Sequence, residues 1–321
     1  MSTTANTSTG TGTDTDTETT TATPRVPPVA GLTVAVLGVS TGAILVRLSN
    51  APSSVAAFYR VLFTTLPLLP VAVWRYRDAF GQISRRDVGF AVLSGLALAV
   101  HFITWFESLR WTSVAASVTL VQSQPLFVTA GAWLLLRERL TSRMILGILV
   151  AVVGMVAMSL GELRSGGVGA NPLLGNGLAV IGALGAAAYV LAGRSLRQRV
   201  ALIPYVVVVY TVCAATLLII VTAQGGTAVL TGYPPREWLL FAGLAVGPGL
   251  LGHTVINWAL GHLESSVVSV SLLGEPVGAT VLAAVVFMEA PTATTIASGV
   301  VVLAGIYLTT VGSDDESAVN E

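Results

Sequence analysis

The sequence carries little charge. Only 10% of its 321 residues are Asp, Glu, Lys or Arg, whereas a typical soluble domain has about a quarter. Lysine is absent, so all 16 basic residues are arginines, and 16 acidic residues balance them. A net charge of zero gives no electrostatic support for a nucleic-acid partner. A chain with so few charges is not built to be surrounded by water.

Cysteine and catalytic motifs are also scarce. The single cysteine, Cys213, excludes an internal disulfide framework, and its apolar surroundings predict a small buried side chain. Neither an HExxH metalloprotease motif nor a phosphate-binding P-loop occurs. No apolar segment contains a pair of aspartates. These absences argue against an intramembrane enzyme and against an ATP-driven pump.

The two ends of the chain differ from the rest. Residues 1–28 are rich in threonine and include aspartates, and this composition predicts a disordered tail because too little apolar surface is available for burial. The tail has neither the basic start nor the apolar core of a secretory signal peptide. Residues 312–321 form a short acidic tail. Both tails are predicted to lie in the cytoplasm.

Long apolar segments fill the remainder of the chain. Over the full sequence, 54% of the residues are hydrophobic and the mean hydropathy is +0.81. A helix of about 20 apolar residues crosses the roughly 30 Å hydrocarbon core of a bilayer. The sequence therefore predicts an all-α integral membrane protein with ten transmembrane helices. The predicted spans are 29–47, 54–74, 88–107, 113–136, 144–161, 174–192, 201–223, 238–258, 266–288 and 293–311.

Two segments of the chain repeat one another at a distance of 151 residues. Residues 123–141, SQPLFVTAGAWLLLRERLT, align without a gap with residues 274–292, GEPVGATVLAAVVFMEAPT. Both have an early proline and a late glutamate, but Arg137 and Arg139 of the first copy have no counterpart in the second. With five helices in each repeat, the second copy would have the opposite orientation in the membrane. Its end would then lie on the side with few arginines, which explains why the second copy lacks them.

The distribution of the arginines gives the orientation. Ten arginines lie in the links after the second, fourth and sixth spans, and four lie in links on the opposite side. Cytoplasmic loops carry the excess of Lys and Arg, so the first group and both termini are predicted to face the cytoplasm. The sequence thus predicts a five-plus-five inverted repeat in the cytoplasmic membrane, with units 29–161 and 174–311. Secondary transporters have this architecture.

The order of these motifs resembles the EamA family of the drug/metabolite transporter superfamily. The resemblance rests on the two proline-to-glutamate blocks, on the glycine-rich helices from Gly147 and Gly299, and on the AFYRVLF segment around Arg60. The family often has glycine before the loop glutamate, where this chain has Arg137 and Met288. The resemblance implies a transporter without a cofactor. Its solute, such as an amino acid, a sugar or a nucleotide-related compound, would cross through a cavity between the repeats.

Charged residues within the spans are the first candidates for a solute site, because each costs about 2.5–3.5 kcal/mol at the centre of a membrane helix. Arg60 offers a two-pronged donor for a carboxylate or phosphate. Alternatively, it is a structural arginine satisfied by backbone carbonyls or by Glu107. Glu275 replaces the neutral Gln124 of the first copy, and could exchange protons or pair with a substrate ammonium. Its alternatives are a hydrogen bond to a neighbouring helix and pairing with Arg60.

Two equivalent spans carry a polar and aromatic face. His101 and Trp105 are four residues apart in the third span, as are His253 and Asn257, beside Trp258, in the eighth. Residues with this spacing share a helix face, so the two sets could line a pseudo-symmetric cavity. Alternatively, they form hydrogen bonds between helices. The secondary candidates are Gln122, Gln124, Tyr59 and Tyr189.

The predicted function is secondary transport of a small organic metabolite, amino-acid-like or related, by alternating access, with proton coupling through Glu275 as an option. The alternatives are a membrane-embedded scaffold or lipid-handling protein and, with less support, an intramembrane enzyme. The expected partners are a small-molecule solute and membrane lipid but no nucleic acid or metal. A homodimer is one option for the assembly. The sequence selects neither the solute nor the direction of transport.

Overall fold

All regular structure that is described is helical, as the apolar segments predict. The computed structural model describes residues 28–81, 84–137, 139–165, 169–197, 202–255 and 271–319. The predicted disordered tail therefore lies outside the described residues, except for Pro28. Side chains of the acidic tail also lie outside, although its backbone continues as a helix to Val319.

Helices follow one another with short links. The described α-helices are α1 (Pro28–Leu48), α2 (Ser53–Arg75), α3 (Arg77–Gly81), α4 (Arg85–Trp111), α5 (Val114–Val121), α6 (Gln124–Leu136), α7 (Ser142–Ser165), α8 (Pro172–Arg197), α9 (Leu202–Gly225), α10 (Pro235–Leu244), α11 (Gly274–Phe287) and α12 (Ala293–Val319). A 3-10 helix, Thr227–Leu230, precedes α10, and a π-helix, Ala245–Thr254, follows it.

Among the described residues, eight stretches of helix have the length and the apolar composition that a membrane crossing requires. They are α1, α2, α4, α5 with α6, α7, α8, α9 and α12. The predicted span 238–258 corresponds to α10 and the π-helix, and the predicted span 266–288 is described only as α11. Residues 256–270, which would complete both spans, lie outside the described residues. The protein is therefore a multi-pass membrane protein, and the number ten stays a prediction.

The two copies of the repeated block end with the same backbone turn. Arg137, with φ of 58°, follows the last residue of α6, and Met288, with φ of 55°, follows the last residue of α11. The two positions are equivalent in the repeat, and both lie in the left-handed region that glycine adopts without steric cost. The left-handed conformation would explain the glycine that the resemblance leads us to expect at this position. This chain keeps the turn with two larger residues.

Met288 offers a direct test of this turn, because its side chain is 85% exposed and makes few contacts that a substitution would remove. The left-handed conformation costs a non-glycine residue about 1–2 kcal/mol, and glycine loses part of that gain through its greater chain entropy. We expect Met288→Gly to raise the melting temperature in detergent slightly. Val285→Gly, at an exposed helical position in α11, should lower it. An equal decrease in both variants would contradict the assignment of the turn.

The most extensive helix contacts join the two repeats to each other. α4 packs along α8, α7 along α12, α2 along α9, and α1 along α11. Glycines allow the backbones to touch: a Cβ on Gly305 would lie 2.6 Å from the carbonyl oxygen of Gly147, and a Cβ on Gly154 would lie 2.8 Å from the nitrogen of Val302. Gly154 and Gly305 are themselves repeat equivalents. The two repeats therefore form one packed body.

A buried carboxylate ties helix ends together at the side predicted to face outside. Glu289, which follows α11, accepts a hydrogen bond of 2.7 Å from the backbone N–H of Val114 at the start of α5. Its other oxygen lies 3.4 Å from Nη2 of Arg47, and Nη1 of Arg47 donates to the carbonyl oxygens of Leu109 and Thr112 at 2.7 and 3.0 Å. The end of the second copy, at Glu289, therefore contacts the start of α5, the helix that precedes the first copy.

Two more carboxylates act in the same way. Glu237 accepts hydrogen bonds from Ser49 Oγ at 2.6 Å and from the backbone N–H of Asn50 at 3.0 Å, which joins α10 to the end of α1. Glu162 accepts one from Ser113 Oγ at 2.6 Å, which joins α7 to the α4–α5 link. Such charge-assisted bonds are stronger than neutral ones. Together, Arg47, Glu162, Glu237 and Glu289 form what we call the outer clasp.

Candidate functional site

A small polar cavity of about 90 Å³ lies between the two repeats. Both repeats contribute to its lining, through α1, α2, α4, the break between α5 and α6, the π-helix and α11. Val39, Val121 and Pro248 supply apolar walls. The polar lining consists of Arg60, His101, Trp105, Gln122, Gln124 and Glu275, all of which the sequence predicts as site residues.

A broken helix brings Gln122 to the cavity. α5 ends at Val121 and α6 begins at Gln124 with a proline in its first turn, so the span is interrupted at two residues. The side chain of Gln122 crosses to the second repeat, where its Nε2 donates to Glu275 Oε2 at 3.0 Å and to the carbonyl oxygen of Leu272 at 3.4 Å. One side chain at the break therefore holds both the side chain and the backbone at the start of α11.

The position of Glu275 is also fixed by α1. Ser40 Oγ lies in α1 and donates to the backbone carbonyls of Val36 at 2.8 Å and Glu275 at 3.3 Å. Gly278 permits this approach, because a Cβ there would lie 2.9 Å from the Cβ of Ser40. The carboxyl group of Glu275 thus enters the cavity from a backbone segment that two contacts from the first repeat, by Gln122 and by Ser40, hold in place.

Arg60 is buried against aromatic rings. Its side chain lies on α2 and is only 4% exposed, and its guanidinium carbon lies 4.4 Å from the ring centroid of Phe102. The rings of Trp105 and Phe106 are within 5.8 and 5.7 Å of the same carbon. Nη1 of Arg60 has no hydrogen-bond partner among the described residues. A buried donor without a partner costs about 1–3 kcal/mol, so the described residues leave one donor of this arginine unsatisfied.

Glu107, the acid considered as a structural partner of Arg60, is engaged elsewhere. It accepts hydrogen bonds from Ser53 Oγ at 2.6 Å and from Trp111 Nε1 at 2.9 Å, near the end of α4. Glu107 lines a separate pocket of about 370 Å³ rather than the central cavity. Arg60 is therefore left with the groups of the central cavity, including Glu275.

His101 and Trp105 form the aromatic wall of the cavity on α4. Their rings stack with centroids 5.7 Å apart. His101 Nδ1 lies 2.9 Å from the carbonyl oxygen of Gly182, and because a carbonyl only accepts, Nδ1 must carry a proton. In the neutral ring this leaves Nε2 as an acceptor. The indole Nε1 of Trp105, a residue 5% exposed, has no partner among the described residues.

The other predicted site residues are not part of the described lining. Tyr59 donates to the carbonyl oxygen of Leu230 at 2.6 Å and stacks on Phe241, with centroids 4.9 Å apart. Tyr189 packs near Tyr205, with centroids 6.4 Å apart. The backbone of His253 belongs to the π-helix. The side chains of His253, Asn257 and Trp258 lie outside the described residues, so these three stay predictions.

One hydrolase-like pattern is present but does not have the structure of a hydrolase site. Residues 38–42 read GVSTG and fit the GxSxG pattern, in which serine occupies a sharp turn between a strand and a helix. Here Ser40 lies within α1, is fully buried and bonds to backbone carbonyls. The helical backbone does not expose this hydroxyl as a nucleophile.

Comparison with models of known protein families identifies the family to which this chain belongs. The model described as the EamA-like transporter family matches the chain twice, over residues 28–160 and 173–311. The chain belongs to the EamA-like transporter family. The predicted resemblance is therefore confirmed, and the protein is a membrane transporter of the drug/metabolite transporter superfamily with a two-repeat architecture.

Solved structures share the fold of this EamA transporter. One, described as "Crystal structure of protein", is 20% identical in sequence and superposes with a TM-score of 0.59. The match covers 88% of this chain and 96% of the other chain. At this level of identity the similarity concerns the fold alone. No curated protein matches the sequence.

Proposed function

We propose that this EamA transporter is a secondary transporter that moves a small organic solute, amino-acid-like or related, across the cytoplasmic membrane through the central cavity. The observation that carries the proposal is the presence of Arg60 and Glu275 in one cavity between the repeats. Ionisable side chains inside a membrane bundle are costly and mark solute or ion pathways. A scaffold protein would have no use for them.

Alternating access gives this cavity its role in the proposal. In transporters built from inverted repeats, one repeat or bundle moves against the other around a fixed site. The contact between Gln122 and Glu275 joins the repeats at such a site. The outer clasp joins helix ends on the side of the membrane that we assign to the exterior. The cavity can therefore open to that side only when the hydrogen bonds of the clasp break. The five-plus-five inverted arrangement, with both termini in the cytoplasm, belongs to this proposal.

A solute screen in proteoliposomes tests the function. Purified full-length protein should show saturable uptake for at least one class among amino acids, sugars and nucleotide-related compounds, compared with protein-free vesicles. If the protein moves no solute but transfers lipid between leaflets, the lipid-handling alternative replaces transport. If it instead cleaves a lipid or a peptide, the enzyme alternative does.

Glu275 is the group we assign to proton coupling. Moving one elementary charge through 100 mV is worth about 2.3 kcal/mol, so a proton carried with the solute could drive its accumulation. Glu275→Gln keeps the size of the side chain and a hydrogen-bonding group for Gln122 but removes the titratable proton. We expect this variant to lose the several-fold stimulation of uptake by an imposed pH gradient, and solute exchange at equal pH, measured in parallel, shows how much binding the cavity retains.

Glu107→Gln is the matched control, because Glu107 is a partly buried carboxylate that lies outside the central cavity. It should retain the response to the pH gradient. Proton-dependent flux that is the same in Glu275→Gln as in the unmodified protein would remove Glu275 from the coupling role.

A further inference from the structure

An open recess of about 570 Å³ lies at the end of α6, away from the central cavity. Its lining, which defines what we call the α6 recess, consists of Trp133, Leu134, Arg137, Arg139 and Leu140. The span Val114–Leu135 starts at the outer clasp and ends at this recess, which therefore lies on the opposite side of the membrane. The proposed transport function makes no use of these side chains.

The apolar part of the α6 recess adjoins the bilayer. Trp133 and Leu134 are 53% and 70% exposed, although both belong to an apolar helix within a membrane-spanning segment. In a membrane, such side chains meet lipid. Tryptophan is enriched at the boundary between membrane and water, where its ring lies at the level of the headgroups. The α6 recess therefore lies where a lipid headgroup joins its acyl chains.

The charged part of the α6 recess consists of Arg137 and Arg139, both exposed. Residues 137–143 read RERLTSR and contain three arginines and one acid, Glu138, which lies outside the described residues. The segment therefore keeps a net positive charge even when Glu138 pairs with one arginine. A guanidinium is always charged, and its planar fork matches two oxygens of a phosphate. The α6 recess thus combines phosphate chemistry with an apolar wall.

The second copy of the repeated block lacks this combination. The tryptophan and the two arginines of the α6 recess are replaced there by Ala284, Met288 and Ala290, although the backbone makes the same left-handed turn. The bias of arginines towards the cytoplasmic side explains the loss of the arginines. It does not explain the loss of the tryptophan, because aromatic residues are enriched at both faces of a membrane. Neither the fold of the block nor the arginine bias therefore requires all three residues together.

We propose that the α6 recess binds an anionic phospholipid. The phosphate pairs with Arg137 and Arg139, and an acyl chain covers Trp133 and Leu134. A soluble phosphate compound would leave these apolar side chains uncovered, and a zwitterionic lipid would bring its own ammonium group to a positive site. Basic pockets on the cytoplasmic side of membrane proteins bind anionic headgroups. The leaflet follows from the orientation given under the proposed function, whereas lipid binding itself does not depend on transport.

Lipids with brominated acyl chains test the proposal on the unmodified full-length protein, because bromine quenches the fluorescence of a tryptophan that it approaches closely. In phosphatidylcholine vesicles, a small fraction of brominated phosphatidylglycerol should quench more strongly than the same fraction of brominated phosphatidylcholine. Excess sn-glycerol 3-phosphate should not relieve this additional quenching. Equal quenching by the two lipids would overturn the proposal. Full relief by the soluble phosphate would also overturn it, since the α6 recess would then select a soluble compound.

A pair of tryptophan variants locates the bound lipid. Trp133→Phe keeps an aromatic ring but removes the fluorophore of the α6 recess, so the additional quenching by phosphatidylglycerol should disappear. Trp74→Phe is the matched control, because Trp74 is 87% exposed and lies beside the terminal arginine of α2, outside the α6 recess. This variant should keep the additional quenching. Loss of it in both variants, or in neither, would contradict binding at the α6 recess.

Two double variants with the same change in charge test the arginines. Arg137→Gln with Arg139→Gln should weaken the binding of phosphatidylglycerol at least about 10-fold, since each arginine near an anionic surface contributes about a factor of five. Arg75→Gln with Arg77→Gln is the control, because both arginines are exposed on the same side of the membrane but do not line the α6 recess. Its affinity should stay close to that of the unmodified protein. Equal weakening by the two pairs would show attraction to the whole surface and overturn the proposed site.

Discussion

Replacement of Arg60 by methionine is expected to weaken binding of a carboxylate solute by at least about 100-fold without lowering the melting temperature of the protein. The loss in binding follows because the substitution removes the positive charge that Arg60 gives the cavity, and with it a charge-assisted hydrogen bond to the solute. Hydrogen bonds to charged groups contribute about 1.5–3 kcal/mol each, and 1.4 kcal/mol corresponds to a factor of ten in affinity.

The expected stability of Arg60→Met has a separate physical reason. The guanidinium is 4% exposed and has a donor without a partner, and replacement of buried charged groups by apolar residues of similar volume is often neutral or stabilising. Stacking on Phe102, at 4.4 Å, offsets part of that gain, since a desolvated cation–π contact contributes about 2 kcal/mol. We therefore expect a melting temperature that is unchanged or higher. A structural arginine would give the opposite result.

Thermal unfolding in detergent and ligand binding should be measured on the same preparation. Arg75→Met is the matched control, since Arg75 ends the same helix, α2, and is exposed. It should alter neither quantity. A marked decrease in melting temperature for Arg60→Met, with binding retained, would show that Arg60 supports the fold and not the solute.

Replacement of Gly305 by leucine should disrupt the α7–α12 contact and greatly reduce the amount of folded protein. A Cβ on Gly305 would meet the backbone nitrogen of Ala151, and it would lie 2.6 Å from the carbonyl oxygen of Gly147 and 2.7 Å from the Cβ of Ala151. Because two of these atoms belong to the backbone, side-chain rotation cannot relieve the clash. Overpacking costs about 1–3 kcal/mol or more, and here two long helices must separate.

Gly177→Leu is the control for this prediction. Gly177 lies in α8, and a Cβ there would find no neighbouring atom within 4 Å. Leucine forms helices more readily than glycine, so this variant should be as stable as the parent or slightly more so. Size-exclusion profiles and melting temperatures in detergent should separate the two variants. A monodisperse Gly305→Leu protein with the parental melting temperature would contradict the packing described for α7 and α12.

Much of the cavity was predictable because membrane insertion makes polar residues informative. Arg60 and Glu275 stood out by their cost in a lipid environment. The spacing of four residues predicted that His101 and Trp105 share a helix face. The repeat alignment drew attention to Gln124, because its position is equivalent to that of Glu275. Tyr59 adjoins Arg60 in sequence, but successive residues on a helix point about 100° apart, and its hydroxyl contacts Leu230 instead.

The outer clasp was not predictable from the sequence. Glu162, Glu237 and Glu289 lie at or near helix ends, where a carboxylate usually meets solvent, yet all three are at most 8% exposed. Their burial depends on which helix ends come together, and the repeat reveals equivalence between helices but not their partners. The cross-repeat pairing of α4 with α8 and of α7 with α12 likewise had no local signal beyond the glycines.

The pairing of helices across the repeats has a consequence for biosynthesis. The ribosome delivers the first five spans to the bilayer before α8 and α12 have been translated. Until then, α4 and α7 lack the helices with which they make their most extensive contacts, and the glycine-lined surface at Gly147 and Gly154 is open to acyl chains. We therefore expect the helices of the amino-terminal repeat to be only loosely associated in the membrane until the second repeat is inserted. Helix pairs that close only after the second repeat is made therefore delay completion of the packing until the end of translation.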